Sequence, residues 1–172
     1  MARTPEIDLG LMGEGEAVIA KLLASPEHPE AFPSVLYRRG EAVVGGGQIG
    51  IASLKDYPPP RYDLFPLSAY RDNPLGLGVE TKRGCPLTCS YCTYPRLNGR
   101  RLRLIEPDTV TDILIELQER HQVQSVIFTD ATFNVPRDHA EQVLHRIITR
   151  GLRLKWEAYF HESYFDEPFL RL

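Results

Sequence analysis

Residues 83–92 read RGCPLTCSYC and hold every cysteine of the chain, Cys85, Cys89 and Cys92. Three thiols are an odd number, so they cannot close a disulfide framework among themselves. The Cys-x3-Cys-x2-Cys spacing leaves three uses open. One is a face of a buried helix, since cysteine packs as a small hydrophobe and the positions fall at i, i+4 and i+7. Against it, Pro86, Thr88 and Ser90 favour a loop or a helix start, and Gly84 and Pro95 bracket the segment. A second is structural zinc, which needs four closed ligands. The histidines, His28, His121, His139, His145 and His161, lie far from the cluster in sequence, so the fold would have to supply the fourth. The third is an iron-sulfur cluster, normally held by four thiolates. With three, one iron of a 4Fe-4S cube keeps an open position, and an open position on a metal is where substrate or cofactor binds.

These residues resemble a known family. CPLTCSYC is similar to the signature of radical S-adenosylmethionine (radical SAM) enzymes, including the aromatic residue before the third cysteine, here Tyr91. The resemblance implies that Cys85, Cys89 and Cys92 hold a 4Fe-4S cluster and that its open iron chelates S-adenosylmethionine. It further implies reductive cleavage of that cofactor to a 5'-deoxyadenosyl radical, with Tyr91 near the adenine. A small-molecule substrate and a reductant such as flavodoxin or ferredoxin would be the partners. The alternative is a non-catalytic iron-sulfur or zinc-binding module.

The family's fold is a partial (β/α) barrel, so strands and helices must alternate around the loop, and they do. LGLGVETKRG, residues 75–84, reads as a strand leading into the cysteines. PDTVTDILIELQERH carries Val110, Ile113, Leu114 and Leu117 on one helical face, with Asp108 and Asp112 near its positive end. VQSVIFTD reads as a buried parallel strand. RDHAEQVLHRIITRG returns to helical spacing through Ala140, Val143, Leu144, Ile147 and Ile148, and Gly151 ends it. LRLKWEAYF alternates, placing Trp156 on one face and Glu157 on the other. The expected fold is therefore α/β: the first three βα units of a radical SAM barrel over residues 76–172, an incomplete barrel.

Active-site groups in such barrels gather at the carboxyl ends of the strands. FTDATFN, residues 128–134, crowds Thr129, Asp130, Thr132 and Asn134 there, either as helix caps or as ligands. In the resemblance this segment stands where the family carries a Gly-Gly-Glu stretch that binds the methionine amino group. Asp130 would then meet the ammonium, with Thr129, Thr132 and Glu157 as further cofactor contacts. RLNGRRLRL, with Arg96, Arg100, Arg101 and Arg103, is either a solvated basic loop or a site for an anionic substrate or partner.

Upstream, EIDLGLMGEGEAVIAKLLAS reads as strand, turn and helix, with Glu14 and Glu16 at the helix start, and SVLYRRGEAVVGGGQIG as a hairpin turning at Arg39 to Glu41. Gly13 and Gly15 do not make a dinucleotide loop, because position 18 is Val18 and two carboxylates would repel phosphate. The order of elements resembles the end of the Rossmann-like cobalamin-binding domain that precedes many radical SAM proteins. Residues 1–55 are expected to be its remnant and 56–75 a proline-rich linker, with cobalamin bound in the full-length protein and methyl transfer or rearrangement as the reaction. The 172-residue chain would then be a fragment. With 42% hydrophobic residues, 25% charged and a net charge of −3, it reads as globular, with no overall pull on nucleic acid. No apolar run nears the roughly 20 residues that span a bilayer, and the first ten lack a secretory apolar core. A cytoplasmic location, where thiols stay reduced, is expected.

Overall fold

The described strands form three sheets, one antiparallel, one parallel and one a two-stranded ladder. The structure is a computed structural model that describes residues 1, 4–70 and 76–172. In the first part, short alternating strands pair antiparallel: β1 (Leu9–Leu11), then, after helix α1 (Ile19–Ala24), β2 (Val35–Arg39) and β3 (Ala42–Gly45), in the order β1-β2-β3. The hairpin turns at Gly40 and Glu41, where Gly40 takes φ +62° as a tight two-residue turn demands. Val18, Leu22 and Val35 form a small core beneath this sheet, with Leu9, Leu11 and Phe32 around it. Within these three strands the pairing is antiparallel, and an isolated parallel bridge joins Gly13 to Ile49.

The second part follows the βα alternation. Strands β4 (Leu77–Val79) and β5 (Lys82–Arg83) precede helix α2 (Tyr94–Asn98), strand β6 (Arg103–Leu104) and helix α3 (Pro107–Glu119). Strand β7 (Ser125–Phe128), helix α4 (Arg137–Thr149), strand β8 (Lys155–Ala158) and helix α5 (Glu167–Leu170) complete it. The parallel sheet runs β4-β7-β8, with Val79 opposite Phe128 and Phe128 opposite Ala158. Between consecutive strands of this sheet lie helices long enough to make the parallel crossover.

One face of the three strands is apolar. Leu77, Val79, Val126 and Phe128 are buried there, joined by Trp156 and Ala158, and α3 and α4 cover them with the residues the helical spacing selects. The exception is Ile148, which is 55% exposed and lies outside the packed stripe, because α4 needs only Ala140, Val143, Leu144 and Ile147 to meet the sheet. Asp108 on α3 pairs with Arg146 on α4 at 2.6 Å. The proline-rich stretch does more than connect. Leu67 is buried in the main core and Tyr62 packs against it, donating its hydroxyl to the Gly78 carbonyl. The last residues of that stretch, 71–75, and the start of the strand expected at 75 lie outside the described residues.

Phe128, Phe133 and Trp156 meet with ring centroids 4.9 to 5.8 Å apart, and Phe133 is fully buried. Phe133→Ala leaves a cavity at the centre of this group, and we expect a loss of about 3–5 kcal/mol in urea unfolding. A loss under about 1 kcal/mol would show that the cluster closes over the gap.

Candidate functional site

The cysteine loop hangs from a two-stranded antiparallel ladder, in which Arg83 of β5 stands opposite Arg103 of β6. Where the two legs part, Gly84 has φ +95°, and a Cβ there would lie 2.1 Å from the Arg101 carbonyl oxygen. Only glycine lets the legs pass this closely. Cys85 follows, buried, with its amide donating to the Gly99 carbonyl at 3.1 Å. Cys89 and Cys92 are exposed and joined by a turn, the Cys92 amide donating to the Cys89 carbonyl at 3.3 Å. Tyr91, between them, is 88% exposed. The segment from 84 to 93 is loop, so the buried-helix use of the thiols falls away.

Among the described residues no group of three or more His, Cys, Asp or Glu side chains stands at metal-binding geometry. The donor set nonetheless fits an iron-sulfur cluster: three soft sulfurs on one short loop, the first anchored, the other two exposed and free to turn about their Cα–Cβ bonds. Of the histidines, His139 meets the Ile105 carbonyl and His161 accepts from the Ser163 amide.

Two polar networks fix the base of the loop. In the first, Asp130, 1% exposed at the end of β7, accepts from the Thr81 amide (2.8 Å), the Lys82 amide (3.2 Å), the Thr81 hydroxyl (2.5 Å) and the Lys82 ammonium (2.9 Å). Lys82, equally buried, also donates to the Phe133 carbonyl at 2.9 Å and lies 5.1 Å from the centre of that ring. Burial pulls the Lys82 pKa below its ordinary value, opposed by the Asp130 charge. Four donors take up the four lone-pair directions of the carboxylate. Asp130 is thus engaged within the protein by Thr81 and Lys82, at the strand end where the resemblance places the cofactor ammonium.

In the second network, Glu14 is buried between two arginines. Arg83 reaches Glu14 (2.9 Å), Glu16 (2.7 Å) and Glu80 (2.8 Å), while Arg103 donates to Glu14, to the Ile51 carbonyl and to the Asn98 carbonyl. Glu14 also accepts from the Ile51 amide at 2.6 Å. The expectation that Glu14 and Glu16 serve the helix start is corrected, because α1 begins only at Ile19 and both carboxylates turn toward guanidinium groups. Of the basic run, Arg103 is buried in this network, whereas Arg96, Arg100 and Arg101 are exposed.

The other expected contacts are scattered around the same end of the sheet. Thr129 is exposed just past β7, with its amide bonded to the Val79 carbonyl at 3.0 Å. Thr132 is half-buried, and its hydroxyl turns back to the Ala131 carbonyl. Glu157 is exposed on the face away from the helices, opposite Ile127. Asn134 is fully buried and pairs in both directions with the His161 backbone, each bond 2.9 Å. None of these side chains caps α4, whose N-cap is Pro136.

The radical SAM superfamily model matches residues 79–159. The chain is 37% identical over 146 residues to the cobalamin-dependent radical SAM methyltransferase TokK of Streptomyces tokunonensis, covering 78% of this chain and 21% of that protein. It is 27% identical over 175 residues to the uncharacterized methyltransferase PH0819 of Pyrococcus horikoshii, covering 97% of this chain and 38% of the relative. The fold is similar to that of the radical S-adenosylmethionine methyltransferase TsrM of Kitasatospora setae, solved with cobalamin and a [4Fe-4S] cluster. There the TM-score is 0.74 at 24% identity, over 96% of this chain and 36% of that one. The chain thus spans about a fifth to two-fifths of the length of these proteins.

Asp130→Asn leaves the Lys82 charge buried without its counter-charge, and we expect a loss of about 3–5 kcal/mol in urea unfolding. A near-neutral result would show that water reaches Lys82. Burial pushes the Glu14 carboxyl up, but the bonds from Arg83, Arg103 and the Ile51 amide outweigh it and hold the group below its ordinary 4.5. The stability it contributes is therefore complete above that pH and lost as pH falls through the lower native value. Glu14→Gln should start with a lower urea midpoint near pH 6 and lose less of it than the unsubstituted chain on going to about pH 3.5. Parallel acid limbs would mean that Glu14 has no such role.

Proposed function

This chain belongs to the radical SAM superfamily, and from that premise we propose that it forms the part of a cobalamin-associated methyltransferase that holds a 4Fe-4S cluster and S-adenosylmethionine. One observation carries the reading: a Cys-x3-Cys-x2-Cys loop that follows the first strand of a parallel βα sheet, within the stretch matched by the family model. Cys85, Cys89 and Cys92 would hold the cluster. When bound, that group supplies an electron for reductive cleavage of S-adenosylmethionine, and cobalamin carries the methyl group in the complete protein.

The chain's own residues position and shield. Cys85 is fixed by burial and by its amide bond to Gly99, so the first thiolate has a defined place. The exposed ring of Tyr91 offers a flat face for adenine. Thr129, Thr132 and Glu157, at or near the open face of the sheet, are the groups we assign to the ribose and methionine ends. Asp130 and Lys82 act on the loop alone, as positioning residues beneath it. A small organic molecule is the substrate, and a low-potential carrier such as flavodoxin or ferredoxin the reductant. We place the protein in the cytoplasm, where its three thiols stay reduced. No helix among the described residues is long and apolar enough to cross a membrane.

Anaerobic reconstitution should load about four irons and four sulfides per chain, and the cluster spectrum should shift on adding S-adenosylmethionine. Cys85→Ala, Cys89→Ala and Cys92→Ala should each lose the cluster, read as iron content. Unchanged iron in any one of them removes that position from the ligand set, and stoichiometric zinc with no iron uptake overturns the enzyme reading.

A further inference from the structure

The charges of the chain are unevenly distributed. From Thr81 to Ile105 there is no Asp or Glu, although the chain has 23 of them, and there are six of its 20 Lys and Arg residues. Three of the six have carboxylate partners: Lys82 with Asp130, Arg83 with Glu14, Glu16 and Glu80, and Arg103 with Glu14. The other three, Arg96, Arg100 and Arg101, are exposed and make no ion pair among the described residues. They line an open hollow of about 790 Å³ between the Gly50 segment and α2. The single carboxylate in its wall is Glu14, which Arg103 and Arg83 already cover.

This positive patch adjoins the thiols. Arg100 donates to the Leu87 carbonyl at 3.1 Å, midway between Cys85 and Cys89, and the Gly99 carbonyl holds the Cys85 amide. Unpaired surface arginines on a chain of net charge −3 concentrate the attraction for an acidic partner on one side. Three are too few to overcome that net charge on an extended polyanion such as RNA, but they suffice to orient a compact acidic protein.

We propose that Arg96, Arg100 and Arg101 form the docking surface for an acidic, low-potential one-electron carrier protein, bringing its redox group to the exposed Cys89–Cys92 side of the loop. The proposal rests on the cluster reading above. The reduced carrier loses one electron and the cluster gains it; no bond is made or broken and no proton moves. Local attraction of this kind acts on the rate of encounter and fades with salt.

The test uses the reconstituted full chain and flavodoxin hydroquinone as the probe, following flavin oxidation by stopped flow. Electron transfer should slow markedly as salt is raised. The variant R96Q/R100Q/R101Q should be slower by about tenfold at low salt and lose most of the salt dependence, while R96K/R100K/R101K keeps the fast rate. Iron content, circular dichroism and reduction by a neutral deazaflavin radical should be the same in all three proteins. Equal flavodoxin rates for the Gln variant and the unsubstituted chain, with clusters intact, overturn the docking surface, as does preferential binding of single-stranded RNA over flavodoxin. If the unsubstituted chain takes up no iron, the cluster reading fails by itself. Binding of oxidised flavodoxin to the chain by calorimetry then decides the surface, with tenfold weaker binding by the Gln variant supporting it and equal binding overturning it.

Discussion

The buried pair of Lys82 and Asp130 is the constraint on which the arrangement of the loop depends. Removing an ammonium and a carboxylate from water costs several kcal/mol each, and the pair is tolerable only because every hydrogen-bonding direction is met. Asp130 takes two backbone amides, a hydroxyl and the ammonium, and Lys82 adds the Phe133 carbonyl. Such a pair confers little net stability compared with well-packed hydrophobes, but it tolerates few alternative geometries. Its members sit at the base of the cysteine loop and at the end of β7, so it joins the loop to the parallel sheet at one defined point.

Glu14 performs the same service between the two sheets. It belongs to the turn after β1, yet its oxygens meet Arg83 and Arg103, the two residues that face each other across the ladder below the thiols. The antiparallel N-terminal sheet is therefore anchored directly to the base of the cysteine loop. Tyr62 and Leu67 add a second, apolar attachment, since both pack on the core of the parallel sheet. Movement of one part relative to the other must break charge-assisted bonds at the site itself.

Much of this was legible in the sequence, and the limits have physical reasons. The helices α3 and α4 and strands β7 and β8 follow from hydrophobic period alone, because each buries one face against a single partner layer. The cysteine loop follows from residue types that resist helix formation. Ile148 shows the limit of period: the stripe was read one residue too wide, since spacing does not say how broad a face the sheet covers. The internal bonds of Asp130, Glu14 and Arg103 share one feature that hides them from sequence reading. Their charged partners lie 48 to 89 positions away in sequence, and long-range ion pairing leaves no local mark. For Arg103 the alternation of RLRL points the other way, since it would turn the leucines inward, whereas Arg103 is buried and Leu104 is exposed.

The ladder that closes the loop has a consequence for how such proteins diversify. Because Arg83 and Arg103 are neighbours across two strands, the chain leaves and re-enters the barrel through a gap one strand spacing wide. The stretch between Cys92 and Asn98, beyond the close approach at Gly84 and the Cys85–Gly99 bond, can be lengthened, shortened or exchanged without shifting the register of a single barrel strand. The segment behaves as a cassette clipped into a socket, and the socket is made of Thr81, Lys82, Asp130 and Glu14. Selection can thus revise what surrounds the sulfurs while the frame that carries them stays still.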